Sequence, residues 1–254
     1  MQHLRQGILK GGEKVMERKL NIGLVIADPD EYSPILQYVE KYNGKEQPLF
    51  GLKSHSFEMP IEDASCVVTS ILCGTGKVNA ATATAFLIDR GVDVIINTGL
   101  SGGVSGVKRG DIVLATKLLE HDFDLMCLGY DFAEKPAQEY IYSADEKLNA
   151  LYEKLYPSIK KGTMVAGDRF VNDSVLRDKL KNEFGAISCD MESAAAAYVC
   201  HITDTPFAAV RRISDDAGEE ATEDYRSMND LAESCLLDIV LNGISRINST
   251  DFLK

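Results

Sequence analysis

The sequence predicts a single-domain α/β fold in which helices flank a central, mixed and mostly parallel β-sheet. Short apolar runs alternate along the chain with longer amphipathic segments, a pattern typical of strands that are each followed by a helix. Several short runs are apolar almost throughout, as expected for strands buried on both faces of a sheet. No linker rich in Pro, Gly or Ser divides the chain, so we expect one domain at residues 20–254 after a charged N-terminal extension at residues 1–19.

Six strands and six helices follow from this pattern. The strands are expected at residues 20–27, 65–73, 92–99, 111–116, 161–167 and 206–214. The helices are expected at residues 29–43, 76–90, 144–156, 173–183 and 190–203, with a last one near 223–246. The helix at 173–183 has a start signal, because Asn172 or Asp173 can cap its first turn.

Charge and composition exclude several classes of protein. Among 254 residues, 27 are Lys or Arg and 39 are Asp or Glu, which gives a net charge of −12. A nucleic-acid partner is therefore not expected, since it requires clustered positive charge. No run approaches the ~18 apolar residues of a membrane-spanning helix, so no membrane partner is expected either. The six cysteines form no C-x-x-C pair and lie mostly in apolar runs, which favours buried thiols in the reducing cytoplasm.

Two glycine-rich segments follow predicted strands, where the ligands of α/β sheets bind. The first, CGTGKVN, is not a dinucleotide motif, because Asn79 stands at the third glycine position, and its Gly-Lys pair lacks the Ser or Thr of a P-loop. It is either a tight turn or a close approach of the backbone to a ligand. The second, NTGLSGGVSG at residues 97–106, is expected to be a long loop in which Gly99 and the following glycines let N–H groups face a ligand.

Acidic residues gather at the same predicted strand ends, at Glu31, Asp168, Asp215 and Asp216. Each alone is explained by helix capping or by a solvated surface charge. Together at one sheet edge they suit general acid–base catalysis on a neutral substrate. The segment HDFDL at residues 121–125 is not expected to bind a metal, because alternation along a strand would separate its histidine from its aspartates.

Eight segments form a more specific pattern, and in chain order they are IGLVIADPDE, CGTGKVNAA, VIINTGLSGG, RGDIVLATKLLEHDFD, GYDF, AGDRFV, DMESAAAAYVC and RRISDDAG. On these segments, from about Leu20 to about Leu241, the chain resembles the purine nucleoside phosphorylase/nucleosidase superfamily, and within it the 5′-methylthioadenosine/S-adenosylhomocysteine nucleosidases. The resemblance implies a nucleoside phosphorylase-like fold. It also implies hydrolysis of the N-glycosidic bond of a 5′-substituted purine nucleoside, with release of adenine.

The resemblance implies an acid and a base on opposite sides of that bond. Asp215 would protonate the five-membered ring of the purine, with Ser214 orienting its carboxyl group. Glu31 would act as the base on the attacking water, and Arg211 would lie close to that water. A proton donor must hold its proton at neutral pH, so the pKa of Asp215 is expected well above ~3.9. Ionised carboxylates are expected beside the sugar, where positive charge develops.

The resemblance also implies the binding residues. Glu192 would hold the ribose hydroxyls and Met191 would lie under the sugar, while Phe170 would stack on the purine and the backbone of Val171 would read its edge. The pocket for the 5′ substituent would be lined by Tyr225. The second subunit of a homodimer would complete that pocket with Leu125, Leu128, Tyr130 and Pro136. No metal or organic cofactor is expected, since acid–base chemistry suffices.

Three positions depart from the family pattern. Leu100 stands directly after Gly99, where a serine is common in the family. Asp28 stands at a position usually held by methionine and Thr75 at one usually held by isoleucine, both near the expected 5′ substituent. This more polar pocket leaves adenosine, inosine or another 5′-substituted purine nucleoside open as the substrate.

Two other functions stay open at this point. A phosphorylase of the same superfamily needs a cationic, hydroxyl-rich cradle for phosphate, whereas the segment ADPDEY is acidic and Leu100 offers no hydroxyl. The sequence therefore favours hydrolysis. A non-catalytic nucleoside-binding module could keep the fold without the chemistry, but such a module has no need of a proton donor like Asp215.

Overall fold

The computed structural model describes residues 18–227 and 230–253 of the chain. The predicted N-terminal extension lies, apart from its last two residues, outside this part. The described strands are β1 (Leu20–Ile26), β2 (Lys45–Glu46), β3 (Ser54–Pro60), β4 (Ser65–Leu72), β5 (Val94–Gly103), β6 (Ile112–Glu120), β7 (Tyr142–Ser143), β8 (Lys160–Ala166), β9 (Ala186–Asp190) and β10 (Phe207–Asp215). The described α-helices are α1 (Pro29–Tyr32), α2 (Ile35–Lys41), α3 (Lys77–Asp89), α4 (Glu146–Leu155), α5 (Ser174–Phe184), α6 (Ser193–Ile202), α7 (Ala221–Arg226) and α8 (Asp230–Ile244).

These strands form one mixed sheet with a parallel centre. Strands β4, β1, β5 and β10 lie side by side in that order and run parallel. From β10 the sheet continues through β6, β8 and β9, and β9 returns to pair with β5, so that five strands close into a ring. At the other edge β3 pairs antiparallel with β4, and the short β2 and β7 pair with β3 and β6.

Helices cover both faces of the sheet, and side-chain alternation along the strands supplies both cores. Leu24 on β1 belongs to the core beneath α4 and α8, whereas its neighbour Val25 belongs to the core beneath α3 and α6. Ile96 and Ile95 on β5 divide in the same way. The alanine run at the start of α6 is buried and lets this helix pack closely against α3. None of the described helices is long and apolar enough to cross a membrane.

The predicted strands and helical regions are confirmed, with shifted boundaries and two divided helices. The region predicted at 29–43 is α1 followed by α2, and the region predicted near 223–246 contains α7 and α8, with residues 228–229 outside the described part. The start signal of α5 is also confirmed, because Asp173 accepts a hydrogen bond from the backbone N–H of Leu176 at 2.8 Å. The strands β2, β3, β7 and β9 were not predicted.

The predicted loop at residues 97–106 is wrong. Strand β5 runs on to Gly103, because Gly102 and Gly103 pair with β9 on one side while Gly102 also pairs with Asp215 on the other. A Cβ atom at Gly102 would lie 3.1 Å from Oδ1 of Asp215, so the glycine permits this close approach of strands. The glycine-rich segment is thus mostly a buried strand.

The segment HDFDL follows β6, which ends at Glu120. His121 is buried beside Gly167, and the carboxylate of Asp122 pairs with the Lys77 ammonium group at 2.5 Å. Burial nevertheless alternates along the segment, because His121 and Phe123 are less exposed than Asp122 and Asp124. Within residues 18–227 and 230–253, no group of three or more His, Cys, Asp or Glu side chains is arranged to hold a metal ion.

The parallel centre of the sheet brings four chain segments to one edge. Strands β4, β1, β5 and β10 end at the same side, since they run in the same direction. Thr75, Asp28 and Asp215 lie at or just beyond the ends of β4, β1 and β10, and Leu100 lies within β5.

Candidate active site

A cavity opens at this edge of the sheet. Eleven residues predicted for the site line it, namely Asp28, Glu31, Thr75, Leu100, Phe170, Val171, Met191, Glu192, Ser214, Asp215 and Tyr225. Six lining residues were not assigned to the site from the sequence: Ala27, Ser101, Gly102, Arg169, Cys189 and Asp190. Most of these six are next in sequence to a predicted site residue, so their place in the eight family-like segments could have indicated them.

Asp215 stands at the last position of β10 and is 2% exposed. Its Oδ1 accepts a hydrogen bond from the backbone N–H of Ala217 at 2.8 Å, and its Oδ2 accepts one from the hydroxyl of Ser214 at 2.6 Å. Burial raises the pKa of Asp215, although these two hydrogen bonds oppose the shift. The neighbouring Asp216 points away, with a side chain that is 68% exposed. Asp215 is thus fixed in place at one end of the cavity, in an environment that favours its protonated form.

Glu31 lies on α1, whose first turn is capped by the side chain of Asp28. Its Oε1 accepts a hydrogen bond from the backbone N–H of Leu100 at 2.7 Å. Its Oε2 is buried and has no hydrogen-bond partner among the described residues. Burial raises the pKa of Glu31 to about 8, against the opposing effect of the Arg211 guanidinium group. The expectation of an ionised carboxylate here is therefore not met in the free protein at neutral pH, where most of Glu31 is protonated.

Arg211 is fully buried behind the cavity wall, so it lies next to the site but does not line it. Its Nη1 donates to the carbonyl oxygen of Leu100 at 3.2 Å, and its Nη2 donates to Oδ1 of Asn97 at 2.6 Å and to Oε2 of Glu192 at 3.3 Å. Its Nε lies 3.5 Å from Oδ2 of Asp190. Although burial lowers the pKa of Arg211, the surrounding carboxylates outweigh it and raise the pKa, so the cation is kept.

Glu192 follows β9 and is 4% exposed. Its Oε1 accepts a hydrogen bond from the backbone N–H of Gly76 at 3.0 Å, which ties the turn before α3 to the site. Asp190 holds the chain around Glu192, because its Oδ1 accepts from the backbone N–H groups of Glu192 and Ser193, both at 2.8 Å. Burial raises the pKa of Glu192, and the Arg211 cation opposes the shift. Asp190 is a positioning residue that the sequence did not reveal.

Gly99 lies behind the cavity, between the acid Glu31 and the cation Arg211. A Cβ atom at this position would lie 2.5 Å from Oε2 of Glu31 and 2.8 Å from Nη1 of Arg211. Its φ of 152° is also unfavourable for other residues. Gly99 is required because the acid and the cation both pack against its backbone.

Aromatic and apolar side chains form the wall near Asp215. The rings of Phe170 and Tyr225 meet edge to face, with centroids 5.6 Å apart and an angle of 73°. Val171 is buried beside them, while Phe170 is 39% exposed. Such a half-open aromatic wall suits a flat, heteroaromatic group that stacks against it. Cys189 also lines this end, but burial raises the pKa of its thiol, which keeps it unreactive.

The four site residues expected from a second subunit do not line this cavity in the single chain. They lie in the segment 124–136 and are Leu125, Leu128, Tyr130 and Pro136. Leu128 is 68% exposed and Tyr130 is 36% exposed. Lys135 anchors the end of this segment by an ion pair with Glu120. The segment is thus attached to its own chain while it presents apolar side chains outward.

The chain is similar to known proteins both in sequence and in structure. Residues 21–245 match the model of the Phosphorylase superfamily. A 5′-methylthioadenosine/S-adenosylhomocysteine nucleosidase of Bacillus velezensis is 37% identical over 183 residues, which cover 69% of this chain and 79% of that protein. The structure of the nucleosidase of the same name from S. pneumoniae, with a transition-state inhibitor, has a TM-score of 0.79 at 29% identity and covers 90% of this chain and 100% of the other. Futalosine hydrolase of Helicobacter pylori has a TM-score of 0.78 at 26% identity and covers 88% of this chain and 97% of the other.

Proposed function

The chain belongs to the Phosphorylase superfamily, and from this premise we propose that it is a nucleosidase that hydrolyses the N-glycosidic bond of 5′-substituted adenosines. The observation that carries this proposal is the separation of two roles along one cavity. Asp215, with a raised pKa, lies against Gly102 of β5, whereas Glu31 and the buried Arg211 lie against Gly99, earlier on the same strand. Glu192 pairs with Arg211. Cleavage of an N-glycosidic bond is favoured by a proton donor at the purine and by negative charge beside the sugar, and this arrangement can supply both.

Asp215 is the proposed general acid. With the purine against Phe170 and the backbone of Val171, its carboxyl group donates a proton to the five-membered ring, so that the base departs neutral. Ser214 and the backbone of Ala217 hold the carboxyl group in one orientation. Desolvation raises the pKa of Asp215, which is the direction that a proton donor requires.

Glu31 is the proposed base for water. Its Oε1 is held by Leu100, so its buried Oε2 can accept a proton from the attacking water. The positive charge that develops on the sugar favours the ionised form of Glu31 and offsets the raised pKa of the free protein. Glu192 binds the ribose hydroxyls with Met191 beneath the sugar, and Arg211 fixes both Glu192 and Leu100.

The charge of the cavity supports water rather than phosphate as the nucleophile. Five lining residues are acidic: Asp28, Glu31, Asp190, Glu192 and Asp215. Arg211, behind the wall, is compensated by the carboxylates around it, and the Arg169 guanidinium group pairs with Asp173 at 2.7 Å. Both of these cations are already paired with carboxylates, so neither is available to neutralise a phosphate dianion.

A homodimer and a cytoplasmic location complete the proposal. The exposed apolar side chains of the segment 124–136, led by Leu128, support a role in closing the site of a second copy of the chain. The six cysteines are unpaired, and four of them are buried, which supports a reducing compartment such as the cytoplasm.

Release of adenine in phosphate-free buffer tests the proposed function. The purified protein is incubated with adenosine, 5′-methylthioadenosine and S-adenosylhomocysteine, and free adenine and free pentose are measured over time. We expect catalytic release without phosphate. Strict dependence on phosphate, with a pentose 1-phosphate as product, would contradict hydrolysis, and stoichiometric binding without turnover would indicate a binding module.

A further inference from the structure

The end of the cavity farthest from Asp215 is polar. Along the sheet edge the strands follow the order β10, β5, β1 and β4, so that the end of β1 is two strand spacings from Asp215, or roughly 10 Å. Asp28 follows β1, and Thr75 follows the next strand, β4. If the purine lies at Asp215 and the ribose at Glu192, the 5′ position of the sugar points toward this end.

Asp28 presents a fixed carboxylate to the cavity. Its Oδ1 accepts a hydrogen bond from the backbone N–H of Asp30 at 2.8 Å, and this orients the side chain. Its Oδ2 has no donor and the carboxylate has no cationic partner in the part of the chain that the structure describes. A half-buried carboxylate that lines a cavity under these conditions gains from a ligand that donates a hydrogen bond to it.

Thr75 follows the neighbouring strand β4 and lines the same cavity, in a turn that is fixed by contacts to the site. Its carbonyl oxygen accepts from the side-chain amide of Asn79 at 2.8 Å, and the next residue, Gly76, donates its N–H to Glu192. The position of Thr75 is therefore coupled to the residue proposed to bind the ribose. Its hydroxyl group adds a second hydrogen-bonding partner at the same end of the cavity.

We propose that Asp28 and Thr75 form a subsite that selects 5′ substituents able to donate a hydrogen bond, either a hydroxyl or an ammonium group. The inference rests on the proposed function, because that function orients the nucleoside. A 5′-hydroxyl group donates to Asp28 and accepts from Thr75, and a 5′-ammonium group donates to both. A 5′-methylthio group donates nothing and leaves the desolvated carboxylate of Asp28 unpaired, so it is bound less well.

The test compares four nucleosides that differ only at the 5′ position: adenosine, 5′-amino-5′-deoxyadenosine, 5′-deoxyadenosine and 5′-methylthioadenosine. For each, kcat/KM for adenine release is measured in phosphate-free buffer. For the unchanged protein we expect the two donor substrates to exceed the other two by about tenfold or more. A preference for 5′-methylthioadenosine over adenosine would overturn the subsite while leaving the nucleosidase in place, and no turnover of any compound would overturn both.

Two variants separate a binding role of Asp28 from its capping role. Asp28→Asn keeps a good N-cap but removes the negative charge. We therefore expect the ratio of kcat/KM for the 5′-amino substrate to that for 5′-deoxyadenosine to fall about tenfold, and the corresponding ratio for adenosine to fall less. Thr75→Val keeps the shape of the side chain and is expected to lower the preference for adenosine over 5′-deoxyadenosine. Asp30→Asn is the control, because Asp30 does not line the cavity, and its ratios should stay unchanged. Unaltered ratios in both Asp28→Asn and Thr75→Val would show that these residues are only structural.

Discussion

The carboxyl group of Glu31 packs directly against the backbone of Gly99. Any side chain at Gly99 would begin 2.5 Å from Oε2 of Glu31, the oxygen proposed to take the proton of water. The same atom would begin 2.8 Å from Nη1 of Arg211. One glycine thus determines how closely the proposed base and the buried cation approach each other.

The substitution Gly99→Ala is expected to abolish most of the activity. The added Cβ atom must displace Glu31 or Arg211, because nothing at this position can shift without breaking a contact of the site. We expect kcat/KM to fall by about 10²-fold or more. Gly106→Ala is the matched control, since Gly106 also has a positive φ of 68° but no atom lies within 4 Å of the added Cβ. That variant should lose about 1–2 kcal/mol of stability and retain its turnover. Similar activity losses in the two variants would show that backbone strain, not the contact with Glu31, is responsible.

The stability of the protein is expected to fall as pH rises through neutrality. Burial raises the pKa of Glu31 from 4.5 to about 8, so the folded chain binds a proton that the unfolded chain releases. The stabilisation is complete below pH 4.5 and is lost as pH rises to about 8. Its size is at most about 5 kcal/mol. Melting temperatures from pH 5 to pH 8.5 should decline less steeply for Glu31→Gln than for the unchanged protein. Parallel curves would mean that Glu31 titrates normally.

The proposed exchange of segments between subunits predicts complementation of two inactive variants. Leu128→Asp places a charge in the segment that closes the partner's site and should prevent that closure. Glu31→Gln removes the proposed base of its own site. In a mixed dimer, one site combines an intact Glu31 with an intact Leu128 from the other chain. Co-expression of the two variants should therefore restore about a quarter of normal activity, since half of the dimers are mixed and each contains one complete site. No gain over the separate variants would show that the segment acts only within its own chain.

The fold was predictable wherever one strand has a continuous apolar run. LNIGLVI and SCVVTSIL read as buried strands and are β1 and β4. The strand β9, AISCD, is short and directly precedes a predicted helix, so it was not predicted. The glycines at the end of β5 were predicted to form a loop. Those glycines form a strand because they pair with β9 and β10. Pairing between segments that are distant in the chain produces no periodic pattern in the local sequence, so it could not be predicted.

The site was predictable to the extent that its residues follow strands. Asp215 and Glu192 were found because strand ends and the family resemblance both point to them. Asp190 was missed, because its two hydrogen bonds to backbone N–H groups depend on a turn that the sequence does not specify. The raised pKa of Glu31 was missed as well, since desolvation depends on what surrounds a carboxyl group in space.

In the proposed mechanism, Asp215 supplies the proton that makes the purine a neutral leaving group. Asp215→Asn keeps the shape of the side chain but has no transferable proton. General acid catalysis contributes ~10²–10⁴-fold, so kcat for adenosine should fall by that range. Asp216→Asn is the control, because its side chain is 68% exposed and points away from the cavity.

A ribosyl substrate whose leaving group needs no proton isolates this role most directly. The measurement compares kcat/KM of Asp215→Asn with that of the unchanged protein on adenosine and on 4-nitrophenyl riboside, with melting temperatures confirming that the variant is folded. We expect a loss of about 10²-fold or more on adenosine and little loss on the nitrophenyl substrate, since nitrophenolate leaves without protonation. Equal losses on the two substrates, or near-normal hydrolysis of adenosine by the folded variant, would show that Asp215 is not the acid.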